Sequence, residues 1–295
     1  MNKYIDLHTH SVYSEGALTV GQLIGEAKKN NIAVLSLTDH NTVAGVAEAV
    51  KIGRQEKITV IPGVEIYTHF HKYRLHLLGY NLDIHNPELQ KALDQLARQR
   101  ITKIKKSLAV LKKQTGFTIN EARLFNTPSR YPGFAHIIGE LKKSSKNLAK
   151  IKQDLKTDQP NFFDIINKYF GPATKACLPE TGLPIAKALE LIHRAGGLAV
   201  LAHPAQQLSW KTQVVRRLKS IGLDGLEILS PYHRWHDIEH WQNTAAKLKL
   251  VVTGGSDFHA RLSGRRPVLI NEQWQYFKVP YAVYRQLKPR LTKYQ

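Results

Sequence analysis

Short apolar runs that end on histidine or a carboxylate recur along the first 85 residues, separated by helix-patterned stretches. This alternation limits the fold more than any other feature. Tyr4, Ile5 and Leu7 belong to the first run, which carries Asp6-Leu7-His8-Thr9-His10. Residues two apart on an extended chain face one side. His8 and His10 can therefore aim two imidazoles at one point, the geometry that a metal ion requires. Taken alone, such a pair reads equally as two surface histidines; the strand ends that follow weigh against that.

Thr19 reads as an N-cap, and Val20, Leu23, Ile24 and Ala27 recur at helical spacing. Ala33 to Thr38 is a buried strand that delivers Asp39 and His40, and a helix is expected from Val43 to Ile52. Ile58 to Val64 is a third strand ending on Glu65, and Leu75 to Tyr80 a fourth carrying His76. Strand then helix, repeated, predicts a parallel sheet with right-handed crossovers. Polar residues at strand C-termini predict a site on the open end of a β/α barrel.

The rhythm breaks after His85. From Pro87 to about Phe170 the pattern is helical and basic, with Arg98, Arg100, Lys103, Lys105 and Lys106 in one stretch and Lys142, Lys143, Lys146 and Lys150 in another. Leu93, Leu96, Ile101, Ile104, Leu108 and Leu111 give the first stretch a buried face. Residues 86–183 are expected to form an inserted helical subdomain between two barrel segments, 1–85 and 184–295. Its lysines are either a solvated face or a phosphate-attracting wall. The barrel pattern resumes with a helix over Ala186 to Ala195, closed by Gly196-Gly197. Strands follow at Leu198 to Ala202, ending on His203; at Gly225 to Leu229; and at Leu250 to Gly255, ahead of Asp257 and His259.

His8, His10, Asp39, His40, Glu65, His76, His203, Asp257 and His259 thus collect at strand ends or within strands nearby. So many ligand-type residues on one rim predict a multinuclear metal centre. Mixed histidine and carboxylate ligation suits Zn, Mn or Fe better than Mg or Ca. Two ions about 3.5–4 Å apart can clamp a phosphoryl oxygen and activate water. His69 and His71 fall in an expected hairpin tip, so His76 is the preferred ligand of the three. His233, His236 and His240 read as a wet helix face or a substrate contact, His136 and His193 as packing residues, and Glu227 as structural.

The formal charge of +20 and the single cysteine, Cys177, bound the setting. The charge attracts polyanions such as nucleic acid or a multiply phosphorylated ligand, or it serves solubility alone. One cysteine cannot form an internal disulfide, which suits a reducing cytoplasm; Cys177 itself reads as a small core or loop residue. No stretch is apolar enough to span a bilayer, no signal-peptide pattern is expected at the N-terminus, and no obligate protein partner is evident.

In order, D-L-H-T-H, S-E-G, T-D-H, G-V-E, H-L-L-G-Y, A-H-P and G-S-D-F-H resemble the PHP (polymerase and histidinol phosphatase) superfamily. The likeness runs over nearly the whole chain. Within that superfamily the chain is most similar to the TrpH-type branch of RNase AM-like exoribonucleases and nucleoside 3′,5′-bisphosphate phosphatases. Parts of the insert join in, at Arg130-Tyr131-Pro132-Gly133-Phe134-Ala135 and Asn167-Lys168-Tyr169-Phe170-Gly171. The resemblance implies an α/β fold, a distorted (β/α)7 barrel holding two to three ions. It puts His8, His10, Glu65 and Asp257 on the first; Glu65, His76 and His203 on the second; and Glu15, His40 and His259 on the third. Asp39 would stand behind His40. One departure concerns Glu15, where the branch carries aspartate: the charge is kept, but the side chain is one methylene longer.

The expected activity is hydrolysis of nucleotide phosphate esters, with His8, His10, Glu65, His203 and Asp257 as the catalytic set. The substrate is a nucleoside 3′,5′-bisphosphate or a short 5′-phosphorylated RNA trimmed from that end. Arg130 and Lys168 are candidates for gripping a second phosphate, and His203 is one option for the leaving-group proton. The alternatives are a histidinol-phosphate-type phosphatase and a nucleic-acid-binding protein with a dead metal site. The second would require lost ligands, and only Glu15 departs from the pattern.

Overall fold

The computed structural model describes residues 3–259 and 273–291. The chain divides into two compact units, residues 1–93 with 182–295, and residues 94–181.

The first unit begins with β1 (Tyr4–Thr9), α1 (Val20–Lys29), β2 (Ile32–Leu37), α2 (Val46–Glu56), β3 (Thr59–Phe70) and β4 (Tyr73–Tyr80). Helix α3 (Pro87–Thr115) leads into the second unit, which continues with α4 (Glu121–Phe125), α5 (Phe134–Lys142), α6 (Ser145–Leu155) and α7 (Phe162–Phe170). The first unit resumes with β5 (Leu183–Pro184), α8 (Ile185–Arg194), β6 (Leu198–Leu201), α9 (Pro204–Leu208), α10 (Thr212–Ser220) and β7 (Gly225–Leu229). It ends with α11 (Trp235–Leu248), β8 (Val251–Gly254), α12 (Gln273–Tyr276), β9 (Val279–Pro280) and α13 (Tyr281–Leu291).

The barrel strands run in the order β8-β7-β6-β4-β3-β2-β1, with β9 beside β1. The sheet nearly closes. Near Tyr4 and Ile5, β9 lies antiparallel to β1. At the other end of β1 the chain after β8 takes over: His10 N donates to Phe258 O at 2.8 Å, and Phe258 N to His8 O at 3.1 Å. Asp6 ties the same seam. Its buried carboxylate accepts from Ser256 N at 2.9 Å, from the Ser256 hydroxyl and from the Trp274 indole.

One expectation is corrected. The strand carrying His76 is not parallel to its neighbours: β4 runs antiparallel to both β3 and β6. The reason is the short hairpin joining β3 to β4, since two residues cannot make a parallel crossover. The tip lies at His71-Lys72, where the hairpin was expected, and His69 and His71 are exposed there. Strand β3 also runs past Val64 to Phe70, so Glu65 and His76 stand within their strands and not at the ends.

The barrel interior is apolar below the rim, with Ile5, Leu7, Val34, Ile61, Leu78, Tyr80 and Val200 buried together. Helices α1 and α2 cover the sheet with Val20, Leu23, Ile24, Ala27 and Ala49. Thr19 caps α1 in a reciprocal box with Gln22, satisfying N–H groups the first turn leaves free. The second unit has its own core of Ile104, Leu108, Leu111, Ile137, Leu141, Ile151 and Ile165. The apolar face of α3 continues into both units. Leu89 and Leu93 are buried within the barrel unit.

Candidate metal centre

Alternation along β1 puts His8 and His10 on one face, both fully buried. Glu65 arrives from β3, His76 from β4, His40 just after β2, His203 just after β6, and Asp257 and His259 just after β8. The carboxylate of Glu65 is the hub. Its Oε2 lies 3.2 Å from His8 Nε2, 3.4 Å from His10 Nε2 and 2.7 Å from His40 Nδ1. Its Oε1 lies 3.0 Å from His76 Nδ1 and 3.5 Å from His203 Nε2. Asp257 Oδ1 faces His10 Nε2 at 3.0 Å and His8 Nε2 at 3.3 Å.

Three groups gather ligand atoms within 4.8 Å of one another: His8, His10, Glu65 and Asp257; Glu65, His76 and His203; and His10, His40 and His259. A specific observation fits cations here. His8 Nε2, His10 Nε2, His40 Nδ1, Glu65 Oε2 and Asp257 Oδ1 are all buried without a hydrogen bond of normal geometry. A buried polar atom left unsatisfied costs about 1–3 kcal/mol, and ion pairs such as His40–Glu65 at 2.7 Å offset part of that here. Among the described residues these five atoms face only one another, and ions held between them would satisfy them together.

The protonation of the cluster points the same way. Burial disfavours a charge on His8, but the carboxylates of Glu227, Glu65 and Asp257 outweigh it and raise its pKa well above the usual value. Burial likewise opposes a charge on His40, yet Glu65 lifts it to about 8. His10 goes the other way, lowered by burial and by His259 and His40. Burial would raise the pKa values of Glu65 and Asp257, but the surrounding histidines hold both well below the usual carboxylate range. Without metal, protons on His8 and His40 balance the buried carboxylates; a cation does the same work with more ligands.

Three acids hold the cluster in place from behind. Asp39 accepts from Ser11 N at 2.8 Å, Ser11 Oγ at 2.6 Å and Ser14 Oγ at 2.5 Å, which fixes the turn after β1. Burial raises the pKa of Asp39, and raises that of Asp6 to about 6. Glu227 is the third, and its reading as merely structural is corrected. It is fully buried, with Oε1 3.0 Å from His8 Nδ1 while Oε2 accepts from His203 N at 2.9 Å. A carboxylate behind a ligating histidine fixes its tautomer and raises its basicity.

Glu15 neighbours the expected third set. It is half-buried and acts on His40 and His259 as a neighbouring charge, but the compact trio contains His10 in its place. The turn is anchored by Ser14 on one side and Gly16 on the other, where a Cβ would collide with the His10 carbonyl. That anchoring sets where the longer side chain starts. His233 is also corrected: it is buried, with Nδ1 2.7 Å from Ile228 O and Nε2 accepting from Ala205 N at 3.3 Å. It precedes α11, so helical spacing misassigned it; His236 is exposed and His240 half-buried. His193 pairs with Asp224 at 2.8 Å, and His136 accepts from Gly133 N at 3.3 Å. Cys177 is half-buried. Arg130 and Lys168 are exposed residues of the second unit. Tyr232, which sequence reasoning missed, donates its hydroxyl to Asp257 Oδ2 at 3.0 Å. No spacing signal marks it.

A seven-stranded, nearly closed α/β barrel with a polar histidine–carboxylate rim defines a metallohydrolase architecture. The PHP domain profile matches residues 6–176, and the chain belongs to that family, as a phosphoric ester hydrolase. It is 29% identical over 265 residues to a 5′-3′ exoribonuclease of Haemophilus influenzae, covering 88% of this chain and 91% of the relative. It is 28% identical to a 3′,5′-nucleoside bisphosphate phosphatase of Chromobacterium violaceum, over 98% of both chains. A solved structure described as an amidohydrolase from Chromobacterium violaceum, with bound sulfate and no metal, superposes with a TM-score of 0.78 at 24% identity, covering 97% of this chain and 96% of that one. That last likeness bears on the fold alone.

Proposed function

We propose that the protein hydrolyses phosphate esters of nucleotides at this rim, acting on the 3′-phosphate of nucleoside 3′,5′-bisphosphates and on 5′-phosphorylated RNA from its 5′ end. The convergence of buried, unsatisfied ligand atoms on Glu65 and Asp257 carries the reading. His8, His10, Glu65 and Asp257 would hold one ion, and Glu65, His76 and His203 a second. His40 and His259 would hold a third, with Glu15 or His10 completing it. Mn, Zn or Fe suits this ligand chemistry. Bound divalent ions supply Lewis acidity and an activated water at neutral pH.

The residues of the chain set the geometry of that chemistry. Glu65 presents one oxygen to each ligand group, a bridging position. Glu227, against His8 Nδ1, would keep the proton on that nitrogen and leave Nε2 to a bound ion, and it accepts from the His203 backbone N–H. Tyr232 keeps the second oxygen of Asp257 occupied, leaving Oδ1 directed inward. Arg130 and Lys168 remain the candidates for gripping a second phosphate. The two relatives carry names for the two substrates. No helix among the described residues is long and apolar enough to cross a membrane, and the single cysteine suits a cytoplasmic setting.

The test is an assay of Mn-loaded protein on adenosine 3′,5′-bisphosphate and on 5′-phosphorylated RNA, before and after chelation. Release of phosphate or nucleotide that stops on chelation and returns with Mn is expected. Full activity in protein stripped of all metal would overturn the reading.

A further inference from the structure

A path of aromatic and basic side chains leads away from the metal centre within the barrel unit. It starts at Tyr232, whose hydroxyl touches Asp257 and whose ring stands edge-on to His203 at 5.9 Å. A hollow of about 390 Å³ continues from Tyr232 and Arg234 to Trp210. On the other side of Trp210 lies a second hollow of about 480 Å³, bounded by Tyr73, Phe70, Lys211 and Arg217. Both fall in the size range of sites for small organic ligands.

Trp210 joins the two hollows and is built as a platform. Its indole N–H donates to the buried Asp237 at 2.8 Å, and its ring stacks on His240 at 5.2 Å and 10°. Thr212 in turn holds His240, at 3.0 Å. The ring is thus fixed from two directions while 52% of the residue stays exposed. The exposed face of a ring held this rigidly is pre-organised for stacking. The neighbouring charge is mainly positive: Lys211 sits 5.7 Å over the Tyr73 ring and Arg217 and Arg234 line the hollows, while the lining acid Asp237 is engaged by the Trp210 indole and by Arg234 at 3.3 Å. Alternating π-faces and cations along a groove are what a single-stranded polynucleotide uses, its bases stacking and its phosphates pairing. A protein or membrane partner would not call for this alternation.

We infer that the groove from Tyr232 through Trp210 to Tyr73 binds the nucleotides downstream of the scissile phosphate, which makes an oligonucleotide the fuller substrate. This rests on the phosphoesterase reading above and names a substrate track for that site. A mononucleotide occupies only the metal end, so the track contributes as the chain lengthens.

The test compares adenosine 3′,5′-bisphosphate with 5′-phosphorylated ribo- and deoxyribo-oligonucleotides of increasing length. It uses the full chain, with turnover measured in Mn and fluorescence-anisotropy binding measured in chelator. Affinity is expected to rise with length. Trp210→Ala should weaken binding of the longer oligomers about tenfold, through KM and not kcat, whereas Trp210→Phe keeps most of the affinity. The exposed pair Lys211→Gln/Arg217→Gln should reduce the slope of log affinity against log salt by about 1.4. The sugar type bound more tightly identifies the natural strand. The track is overturned if affinity is independent of length, or if these variants bind long oligomers as the parent does. Length- and Trp210-dependent binding by a protein that hydrolyses neither substrate would uphold the track and defeat the phosphoesterase reading instead.

Discussion

Replacing Glu227 with glutamine probes the logic of the centre with a change of one atom. The carboxylate now makes two contacts, to His8 Nδ1 at 3.0 Å and from His203 N at 2.9 Å. An amide keeps one acceptor oxygen. The His203 backbone N–H can only donate, so that oxygen must serve His203, and the NH2 group then faces His8 Nδ1. His8 must accept there, which moves its proton to Nε2, the atom aimed at Glu65 and Asp257. A metal needs Nε2 bare. Binding it would force two N–H groups together in a site buried to 0% exposure, at about 1–3 kcal/mol for an unsatisfied buried donor. The expected result is a 10- to 100-fold loss of metal affinity, the usual range for a partner behind a histidine ligand. Calorimetric titration of the chelated protein with Mn or Zn measures it, with a circular-dichroism melt as the check on folding. A folded Glu227→Gln protein that binds metal as tightly as the parent would refute the tautomer argument.

Other consequences follow from the same cluster. In metal-free protein His40 titrates at about 8, above its ordinary 6.5. The stability from its pairing with Glu65 is full below about pH 6.5 and lost as pH rises through 8; metal-free melts from pH 6 to 9 should fall, while metal affinity measured over the same range rises. Asp6→Asn replaces one oxygen with an NH2 group that then faces either the N–H groups of Ser256 and His8 or the Trp274 indole N–H, while the Ser256 hydroxyl can turn to accept. A loss of about 2–4 kcal/mol is expected, read as a lower midpoint in denaturant. An unchanged midpoint would remove Asp6 from the barrel seam. Gly255→Ala would drive a Cβ into the His8 backbone and Cβ; metal content per chain should drop even where the protein still folds, and full occupancy would contradict the packing described.

Much of the centre was legible along the chain because strand geometry is local. The two-residue alternation of His8 and His10 fixes a shared face before any tertiary contact exists. The apolar runs ahead of Asp39, Glu65, His203 and Asp257 bring those residues to one rim in any barrel built from such strands. The hairpin tip at His71 and the cap at Thr19 are local chemistry, and both stand where the sequence put them. The roles that were not legible depend on contacts across long separations. Glu227 meets His8 from 219 residues away, and Ser256 meets Asp6 from 250 away. An acid within an apolar strand looks the same in sequence whether it serves packing or sets a tautomer. Tyr232 and Trp210 carry no spacing signal, since their meaning lies in what Asp257 and Asp237 offer them.

The amino-acid sequence by itself determined which side chains can ligate and which face of each strand carries them, because side-chain chemistry and backbone period are properties of the residue and its nearest neighbours. Tertiary structure alone decided which buried acids stand behind the histidines and the barrel seam, Glu227 against His8 and Asp6 against Ser256. Those depend on how loops close and which elements meet, and such long-range choices are settled only when the whole chain packs.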